Sequence, residues 1–370
     1  MAKPEEKAAQ IASQRRRLLG WYESNRRDLP WRRSRDPYAI WVSEIMLQQT
    51  RVAVVVDRYP SFMQRFPTLI SLALATEQEV LALWSGLGYY SRARMLHKAA
   101  QFVAANHAGN LPVRAEELRM LPGIGAYTAA AIASIAHGEP VAVVDGNVER
   151  VICRLAGWSA ASRKGGGSTL RRKIENTAQR LLEPSRPGDF NQAMMELGAT
   201  VCTPRSPQCE ICPLREDCKT KGEHKTPKRS PMSSHIVAYA LSVRMSSAIG
   251  ERPGPGSREV LLVQRPDSVK VMPGMWELPM LLHPEVPAEA RRLTLRHSIM
   301  RVNYYVQIRT VFEEDVETLT VQGSQGRWVP LREAATMALT GLTRKVLART
   351  LLLPSMPVEP IAPPSDQNVP

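Results

Sequence analysis

Long apolar stretches are missing from this chain of 370 residues. No run approaches the roughly 18 apolar residues of a membrane-spanning helix, and the polar start Met1–Lys7 lacks the apolar core of a secretory signal peptide. No internal repeat is evident either. These absences predict a soluble, cytoplasmic protein without a membrane partner, and the length favours two or three domains.

Cysteine is scarce, yet four of the five cysteines fall within seventeen residues. They are Cys202, Cys209, Cys212 and Cys218, with the spacing C-x6-C-x2-C-x5-C. Four thiolates from one short loop can close around a metal centre, either an iron–sulfur cluster or a structural zinc ion. A disulfide framework is the less favoured interpretation for a chain that looks intracellular. Cys153 lies in an apolar run, which indicates a small buried hydrophobe.

Acidic residues are outnumbered by basic ones, 35 against 49, and the formal net charge is +14. A balance of this kind favours a polyanionic partner such as a nucleic acid, although charge alone is weak evidence. The apolar content of 44% is ordinary for a globular protein that buries a core.

The pattern of the chain predicts a multidomain protein, with an all-α domain over residues 1–221. Asp36-Pro37 is a helix start, because an N-cap residue precedes a proline at the first helical position. It predicts a helix from Tyr38 to Thr50. Apart from a possible short turn near residue 140, no strand signal precedes residue 230. A basic linker is predicted over 222–234.

An α+β domain is predicted over 235–353, followed by a proline-rich, disordered tail over 354–370. The patterns in this part of the chain predict strands over 236–243, 259–265, 303–312 and 326–329. Helical patterns cover 284–293, 331–338 and 341–352.

A helix–hairpin–helix is predicted over about 114–137, around Leu121-Pro122-Gly123-Ile124-Gly125. Two glycines two residues apart permit a tight turn, and the second helix then begins with uncovered backbone amides that can hold a phosphate. An ordinary helix–helix turn is the alternative. Twenty residues after Gly125, Asp145 interrupts the apolar run Val143-Val144 ahead of another helix, where a plain N-cap is the alternative.

The hairpin, the later aspartate and the four cysteines, in that order, resemble the endonuclease III superfamily over about residues 10–220. Within it, the chain resembles the A/G-specific adenine DNA glycosylases of the MutY type. The blocks that carry this closer resemblance are Leu29–Arg32, Trp41–Thr50, Gly86–Ala93 and Asn191–Gly198. The resemblance implies a helix–hairpin–helix glycosylase domain whose four cysteines bind a [4Fe–4S] cluster.

Two carboxylates are the candidate catalytic groups. Cleavage of an N-glycosidic bond needs an acid for the departing base and a negative group beside the sugar cation. Glu44 has apolar helix neighbours, and burial there would raise its pKa, whereas a salt-bridged surface glutamate is the alternative. The resemblance implies that Glu44 protonates adenine, that Asp145 stabilises the sugar cation and that Asn147 helps to place the acid and the water.

Tyr127 stands where bifunctional members of the superfamily have a lysine that forms a Schiff base. A phenol cannot form an imine with the sugar, so β-lyase chemistry by that route is excluded. The resemblance implies that Tyr127 donates a hydrogen bond near the catalytic aspartate and so assists the active site. An ordinary core tyrosine is the alternative.

A glycosylase has to extrude its target base and fill the gap. The resemblance implies that Gln49 inserts opposite the extruded adenine and that Tyr89 stacks beside the lesion. It implies that the adenine pocket is lined by Trp31, Arg32, Leu47 and Gln192, although Trp31 and Leu47 could equally be core residues. The further DNA-binding candidates are Thr50, Gly123 and Gly125.

The second domain resembles the Nudix-like C-terminal domain of the same family, with the match carried by Gln264–Pro279. The metal-binding box of true Nudix hydrolases is missing, so the domain is predicted to read DNA. Relatives place Phe-Ser-His in a loop that senses 8-oxoguanine, and here Ile299-Met300-Arg301 takes that place. A shift of one or two residues in the alignment would bring in Ser298.

These features predict a monofunctional glycosylase that removes adenine opposite 8-oxoguanine or guanine in double-stranded DNA. It is expected to act as a monomer close to the nucleoid. Two alternatives stay open: a glycosylase for another mismatched or damaged base, and a non-catalytic iron–sulfur protein that binds DNA. The presence of both Glu44 and Asp145 argues against the second alternative, because binding alone needs neither.

Overall fold

The protein divides into two compact units. The first unit consists of Met1–Val80 and Tyr89–Arg229, and the second consists of Leu81–Gly88 and Ser230–Pro370. The computed structural model describes residues 4–158, 167–224, 231–246, 258–299, 301–321, 326–350 and 352–353. The predicted tail over 354–370 and the centre of the predicted linker over 222–234 lie outside the described residues.

Helices build the first unit, and its described residues contain no strand. The structure thus agrees with the predicted helical domain. Up to residue 224 the helices are α1 (Pro4–Asn25), α2 (Pro37–Leu47), α3 (Val52–Arg65), α4 (Leu69–Ala73), α5 (Glu77–Leu83), α6 (Ser91–Asn106), α7 (Ala115–Leu118), α8 (Ala126–His137), α9 (Gly146–Ala156), α10 (Gly167–Leu181) and α11 (Pro187–Thr200). None of the described helices is long and apolar enough to cross a membrane.

Helix α2 is central to this unit, because every residue from Tyr38 to Met46 is buried. Its start is as predicted: the Asp36 side chain accepts a hydrogen bond from the Tyr38 amide at 3.0 Å, and Pro37 opens the helix. Its end is not. The helix stops at Leu47 rather than Thr50, because Gln49 turns to a φ of 58°, in the left-handed region that ends a helix.

The main core of the first unit joins α1, α9, α10 and α11. The fully buried members include Tyr22, Ile152, Ile174 and Leu197, one from each helix. Cys202, Cys212 and Cys218 pack against the same cluster. The cysteine loop therefore packs on the same core as α9 and α11.

The second unit contains two small sheets in its described residues. In the first, the strand order is β1 (Ser233–Leu241), β6 (Val302–Thr310) and β5 (Arg291–Ile299); β1 and β6 are parallel, and β5 and β6 antiparallel. In the second, β3 (Arg258–Gln264) pairs in antiparallel fashion with β2 (Val243–Met245), β4 (Trp276–Glu277) and β7 (Arg327–Pro330). The described helices here are α12 (Val316–Leu319), α13 (Leu331–Ala334) and α14 (Gly341–Arg349).

The predicted helix over 284–293 is wrong. A short 3-10 turn covers Ala288–Ala290 after Pro287, and β5 begins at Arg291. Along β5 the buried Leu295 alternates with exposed neighbours and pairs with the buried Val306 of β6. At the end of the segment, pairing of Arg291 and Leu293 with β6 thus overrides the local helix preference.

A close approach between α9 and α11 makes Gly198 a sensitive position. A methyl group at Gly198 would lie 2.6 Å from the Asn147 Cβ, whereas one at the exposed Gly20 of α1 would meet nothing within 4 Å. We expect Gly198→Ala to lower the free energy of unfolding by about 1–3 kcal/mol, and Gly20→Ala to raise it by about 0.5–1 kcal/mol. Urea titration followed by circular dichroism measures both, and equal stabilities of the two variants would contradict the packing.

Candidate active site

Glu44 and Tyr127 meet inside the first unit. Glu44 lies in the last turn of α2 and is 5% exposed, and Tyr127 is the second residue of α8. The Tyr127 hydroxyl donates a hydrogen bond to the Glu44 Oε2 at 2.5 Å and lies 3.5 Å from the Met195 sulfur. Two residues 83 positions apart are thereby brought into one partly buried contact.

Burial raises the pKa of Glu44 to about 7. The hydrogen bond from Tyr127 lowers this pKa, the negative charge of Asp145 raises it, and the positive charge of Arg32 lowers it. Burial also raises the pKa of Tyr127 well above its usual value, with Glu44 acting in the same direction. Tyr127 is therefore a stable donor, and Glu44 can hold a proton near neutral pH.

Asp145 is half-buried and caps α9. Its two oxygens accept hydrogen bonds from the Val148 amide at 2.7 Å and from the Asn147 side-chain amide at 2.8 Å. The start of a helix favours a negative charge. The sequence therefore allowed two interpretations of Asp145, an N-cap and a catalytic carboxylate, and the geometry is compatible with both at once.

Arg150 connects this corner to the cysteine loop. Its guanidinium donates to the Asn147 Oδ1 at 2.8 Å, to the Gly198 carbonyl at 2.5 Å and to the Cys202 carbonyl at 2.7 Å. Asn147 thus has both ends of its amide engaged, and its orientation is determined by Asp145 on one side and Arg150 on the other.

The hairpin turn lies between α7 and α8. Gly123 is exposed with a φ of 74°, and a Cβ there would come within 3.0 Å of the Met95 side chain. Gly125 is the N-cap of α8, with open space around its α-carbon. The first amides of α8 have no partner within the helix. An anion site at this turn, two residues before Tyr127, stays a prediction.

Two of the four predicted adenine-pocket residues line a common cavity. Arg32 and Gln192 border a cavity of about 210 Å³, together with Tyr22, whose hydroxyl donates to the Gln192 Oε1 at 3.2 Å. Trp31 and Leu47 lie outside that lining. Trp31 is buried and packs edge-to-face on Tyr59, and the half-buried Leu47 ends α2.

Glu196 is a buried residue of the site that sequence reasoning missed. It is 1% exposed and accepts hydrogen bonds from Arg32 at 2.8 Å and from the Arg27 side chain at 2.7 and 2.8 Å. Burial raises its pKa, but the hydrogen bonds from Arg27 and Arg32 outweigh burial and lower it to about 2. A lone glutamate in the apolar run Met194-Met195-Glu196-Leu197 was the available signal.

The predicted lesion-side residues share an unusual backbone conformation. Gln49 and Tyr89 are both exposed and both have positive φ, 58° and 47°, which costs a non-glycine residue about 1–2 kcal/mol. Thr50 follows Gln49 and accepts a hydrogen bond from Arg92 at 2.9 Å. Such conformations persist only where surrounding contacts hold them.

Ser298 lies in the second unit, on β5. The stretch predicted to replace the lesion-sensing loop runs along β5 to Ile299 and re-enters β6 at Val302, while Met300 lies outside the described residues. The Ser298 hydroxyl donates to the Asn303 Oδ1 at 2.8 Å, and Arg296 donates to the same oxygen at 3.0 Å. The exposed Ser298 is therefore part of a small polar network on the sheet.

All four loop cysteines border one pocket, and each is a free, half-buried thiol. The disulfide alternative is thus not supported. Arg154 lies beside them, donating to the Cys202 Sγ at 3.3 Å. Four thiols around one pocket supply the donor set of a four-cysteine iron–sulfur cluster.

Comparison with known proteins defines the class first. Residues 42–184 match the model of the HhH-GPD superfamily base excision DNA repair proteins, and residues 202–218 match the iron-sulfur binding domain of endonuclease III. A solved thermostable thymine-DNA glycosylase has a TM-score of 0.53 and 29% identity, covering 58% of this chain and 98% of that one. The protein is thus a helix–hairpin–helix DNA repair protein with an iron–sulfur domain.

The relatives narrow that class. Human adenine DNA glycosylase is 35% identical over 407 residues, covering 91% of this chain and 74% of the human protein. The rat enzyme is 42% identical over 317 residues, covering 73% of this chain and 61% of the rat protein. The chain belongs to the adenine DNA glycosylase family. The family and the [4Fe–4S] cluster predicted from the sequence are confirmed, and Cys202, Cys209, Cys212 and Cys218 would hold that cluster.

We expect Cys212→Ser to lose iron and the yellow-brown colour of the cluster, and to melt at a lower temperature, because a hydroxyl does not replace a thiolate ligand. Cys153→Ala is the matched control, since Cys153 packs against the same core outside the loop. Iron and sulfide analysis with a thermal melt measures both. One zinc ion and no iron in the wild type, or full iron in Cys212→Ser, would contradict the assignment.

Proposed function

We propose that this protein is a monofunctional DNA glycosylase that removes adenine opposite 8-oxoguanine or guanine in double-stranded DNA. The observation that carries the proposal is the buried Glu44, whose pKa is raised to about 7 beside Tyr127 and Asp145. A carboxylic acid that is protonated near neutral pH is what the departure of a purine needs. We further propose that the protein acts as a monomer, in the nucleoid.

Glu44 is the general acid in this mechanism. Its Oε2 accepts the Tyr127 hydroxyl, so the acidic proton belongs on Oε1, which is free to deliver it to N7 of the extruded adenine. Protonation at N7 draws electrons out of the bond between N9 and the sugar carbon C1′. That bond breaks with its electron pair on the base, and adenine leaves as a neutral molecule.

Asp145 supports the sugar that remains. Loss of the base leaves a positive charge shared by C1′ and the ring oxygen, and the carboxylate at the start of α9 stabilises it electrostatically. Water then attacks C1′ and gives its proton to a carboxylate, such as that of Glu44 after it has protonated adenine. The product is an abasic site. Asn147 holds Asp145 in place through its 2.8 Å hydrogen bond.

Tyr127 limits the enzyme to hydrolysis. Its pKa is raised well above the usual value, so the phenol is a poor nucleophile and only donates a hydrogen bond. Without an amine at this position no Schiff base forms there, and the strand is not cut by β-elimination through this route.

DNA is held by the hairpin and opened by exposed side chains in this proposal. The amides at the start of α8, after Gly123 and Gly125, grip a phosphate without reading bases. Gln49 and Tyr89, which project into solvent, fill the space left by the extruded adenine, with Thr50 alongside. Arg32 and Gln192 receive the base, while Trp31 and Leu47 act as packing residues behind it.

The second unit is proposed to be a Nudix-like reader of the lesion. Arg296 can only donate, so it determines that Asn303 presents its oxygen, and Ser298 must then donate to that oxygen. The outward lone pairs of Ser298 are left as acceptors. They suit the N7–H of 8-oxoguanine and not guanine, whose N7 is itself an acceptor.

A second candidate is excision of another mismatched base. The similarity to a thymine-DNA glycosylase at 29% identity and the replacement of Phe-Ser-His by Ile299-Met300-Arg301 favour testing it. Duplexes with thymine opposite guanine and with damaged pyrimidines therefore belong in the same substrate panel. Preferred release of thymine would replace the first proposal.

We expect the single-turnover rate of adenine release to fall as the pH rises through 7, by about tenfold per pH unit well above the pKa of Glu44. Tyr127→Phe should move this fall to higher pH, because it removes a hydrogen bond that lowers the pKa of Glu44. Both predictions are tested by single-turnover rates on duplexes with adenine opposite 8-oxoguanine, measured by alkaline cleavage. The rates are measured from pH 5 to 9, which extends about two units on either side of the pKa of Glu44.

Glu44→Gln is the control for that profile. It should bind the duplex and release no adenine at any pH, because an amide cannot act as the acid. A wild-type rate that is flat through pH 7, or substantial release by Glu44→Gln, would refute the role of Glu44.

We expect Ser298→Ala to reduce the preference for 8-oxoguanine over guanine opposite adenine by about tenfold, the usual value of one lost hydrogen bond. Arg296→Met should act in the same direction, because Asn303 is then free to flip its amide. Thr294→Ala, exposed on the same strand, is the control. The ratio of single-turnover rates on the two duplexes is measured, and a ratio unchanged in Ser298→Ala would remove Ser298 from lesion reading.

A further inference from the structure

Arg92 joins three parts of the first unit with one side chain. It is the second residue of α6 and is half-buried. Its Nη1 donates to the carbonyls of Ile45 at 2.5 Å and Met46 at 3.0 Å, and its Nη2 donates to the Thr50 Oγ1 at 2.9 Å. Its guanidinium carbon lies 5.5 Å from the centre of the Tyr89 ring.

The first pair of contacts supports the end of α2. The last four carbonyls of a helix have no partner within it, and a cation is favourable there. Arg92 satisfies two of these carbonyls. The same turn carries Glu44, so a displacement of the end of α2 would move the proposed acid relative to Tyr127.

The second pair of contacts supports backbone conformations that are unfavourable by themselves. Gln49 and Tyr89 are exposed residues in the left-handed region. Arg92 binds Thr50, the residue after Gln49, and lies against the ring of Tyr89. A planar guanidinium can make these contacts together, whereas the ammonium of lysine is a point charge without that geometry.

We infer that Arg92 is a positioning residue that couples the residues which open the duplex, Gln49 and Tyr89, to the turn of α2 that carries Glu44. This inference rests on the proposed function and adds a positioning residue to it. Opening of the DNA stack and delivery of the proton then depend on the same cation, although Arg92 touches neither the base nor the sugar.

The test compares Arg92→Met and Arg92→Lys with Arg94→Met. Arg94 lies two residues further along α6 and pairs with Glu77 at 2.8 Å, away from the end of α2, and Arg94→Met should match the wild type. Three quantities are measured: the single-turnover rate on adenine opposite 8-oxoguanine, the Kd for an undamaged duplex, and the fluorescence of a 2-aminopurine placed next to the 8-oxoguanine, which rises when the stack opens.

We expect Arg92→Met to slow adenine release by about tenfold to a hundredfold, as a misplaced catalytic group does, and to lose most of the fluorescence rise. Its Kd for undamaged DNA should stay within about twofold, because phosphate contacts are unchanged. Arg92→Lys should stay as slow as Arg92→Met within about threefold. Full rescue by lysine, or a wild-type rate and fluorescence in Arg92→Met, would overturn the inference.

Two further arms separate the possible failures. If Arg92→Met loses its helical circular dichroism or its iron, Thr50→Val is the milder variant. It removes the hydrogen bond from Arg92 and the 3.4 Å bond to the Gln48 carbonyl, while the bonds of Arg92 to α2 remain. It should reduce both the rate and the fluorescence rise, and no change in either would overturn the inference. If the wild type releases no adenine, the proposed function fails. The fluorescence rise of the wild type against Arg92→Met then decides the coupling by itself.

Discussion

The hydrogen bond between Tyr127 and Glu44 is the contact on which the rest of the site depends. It joins the end of α2 to the start of α8, and both groups are withdrawn from water, so neither helix can shift along the other without exposing or separating them. The hairpin turn ends two residues before Tyr127. The uncovered amides and the Tyr127 hydroxyl therefore belong to the same first turn of α8, and a phosphate bound there would lie at a fixed distance from Glu44.

Two buried glutamates illustrate how neighbours decide the charge of a carboxyl group. Glu44 and Glu196 both lie on apolar helix segments, and burial favours the neutral form of each. Glu44 has a phenol as its hydrogen-bonding partner and a carboxylate nearby, which leaves its pKa at about 7. Glu196 has two arginines, which lower its pKa to about 2. Arg32 lowers the pKa of both glutamates. The guanidinium that pairs with Glu196 therefore also limits the rise in the pKa of Glu44.

The sequence predicted the elements whose causes are local. Asp36 and Pro37 are adjacent to the helix that they start, and the apolar neighbours of Glu44 are on its own helix, so its burial could be expected. The end of α2 could not be expected, since the left-handed Gln49 is held through Thr50 by Arg92, far along the chain. Likewise, Arg291 and Leu293 were predicted to end a helix, and they belong to β5 because they pair with β6.

The same distinction applies to the site. Asp145 was recognisable as a candidate site residue because it follows the hairpin at a set spacing and precedes a helix. Glu196 could not be recognised in this way, because its partners Arg27 and Arg32 are on another part of the chain. The residues predicted to line an adenine pocket divide in the same way. Arg32 and Gln192 share a cavity, while the packing of Trp31 on Tyr59 depends on where α3 lies, which no local pattern contains.

Arg150 links the cysteine loop directly to the corner of the first unit that contains Asp145 and Asn147. One guanidinium donates hydrogen bonds to the carbonyl of Cys202 and to the side-chain oxygen of Asn147. A displacement of one region would therefore displace the other. With the role proposed for Asn147, a substitution at residue 150 would impair both the assembly of the loop and the chemistry. Screens that sort variants into unstable proteins and inactive ones would therefore find this position in both groups.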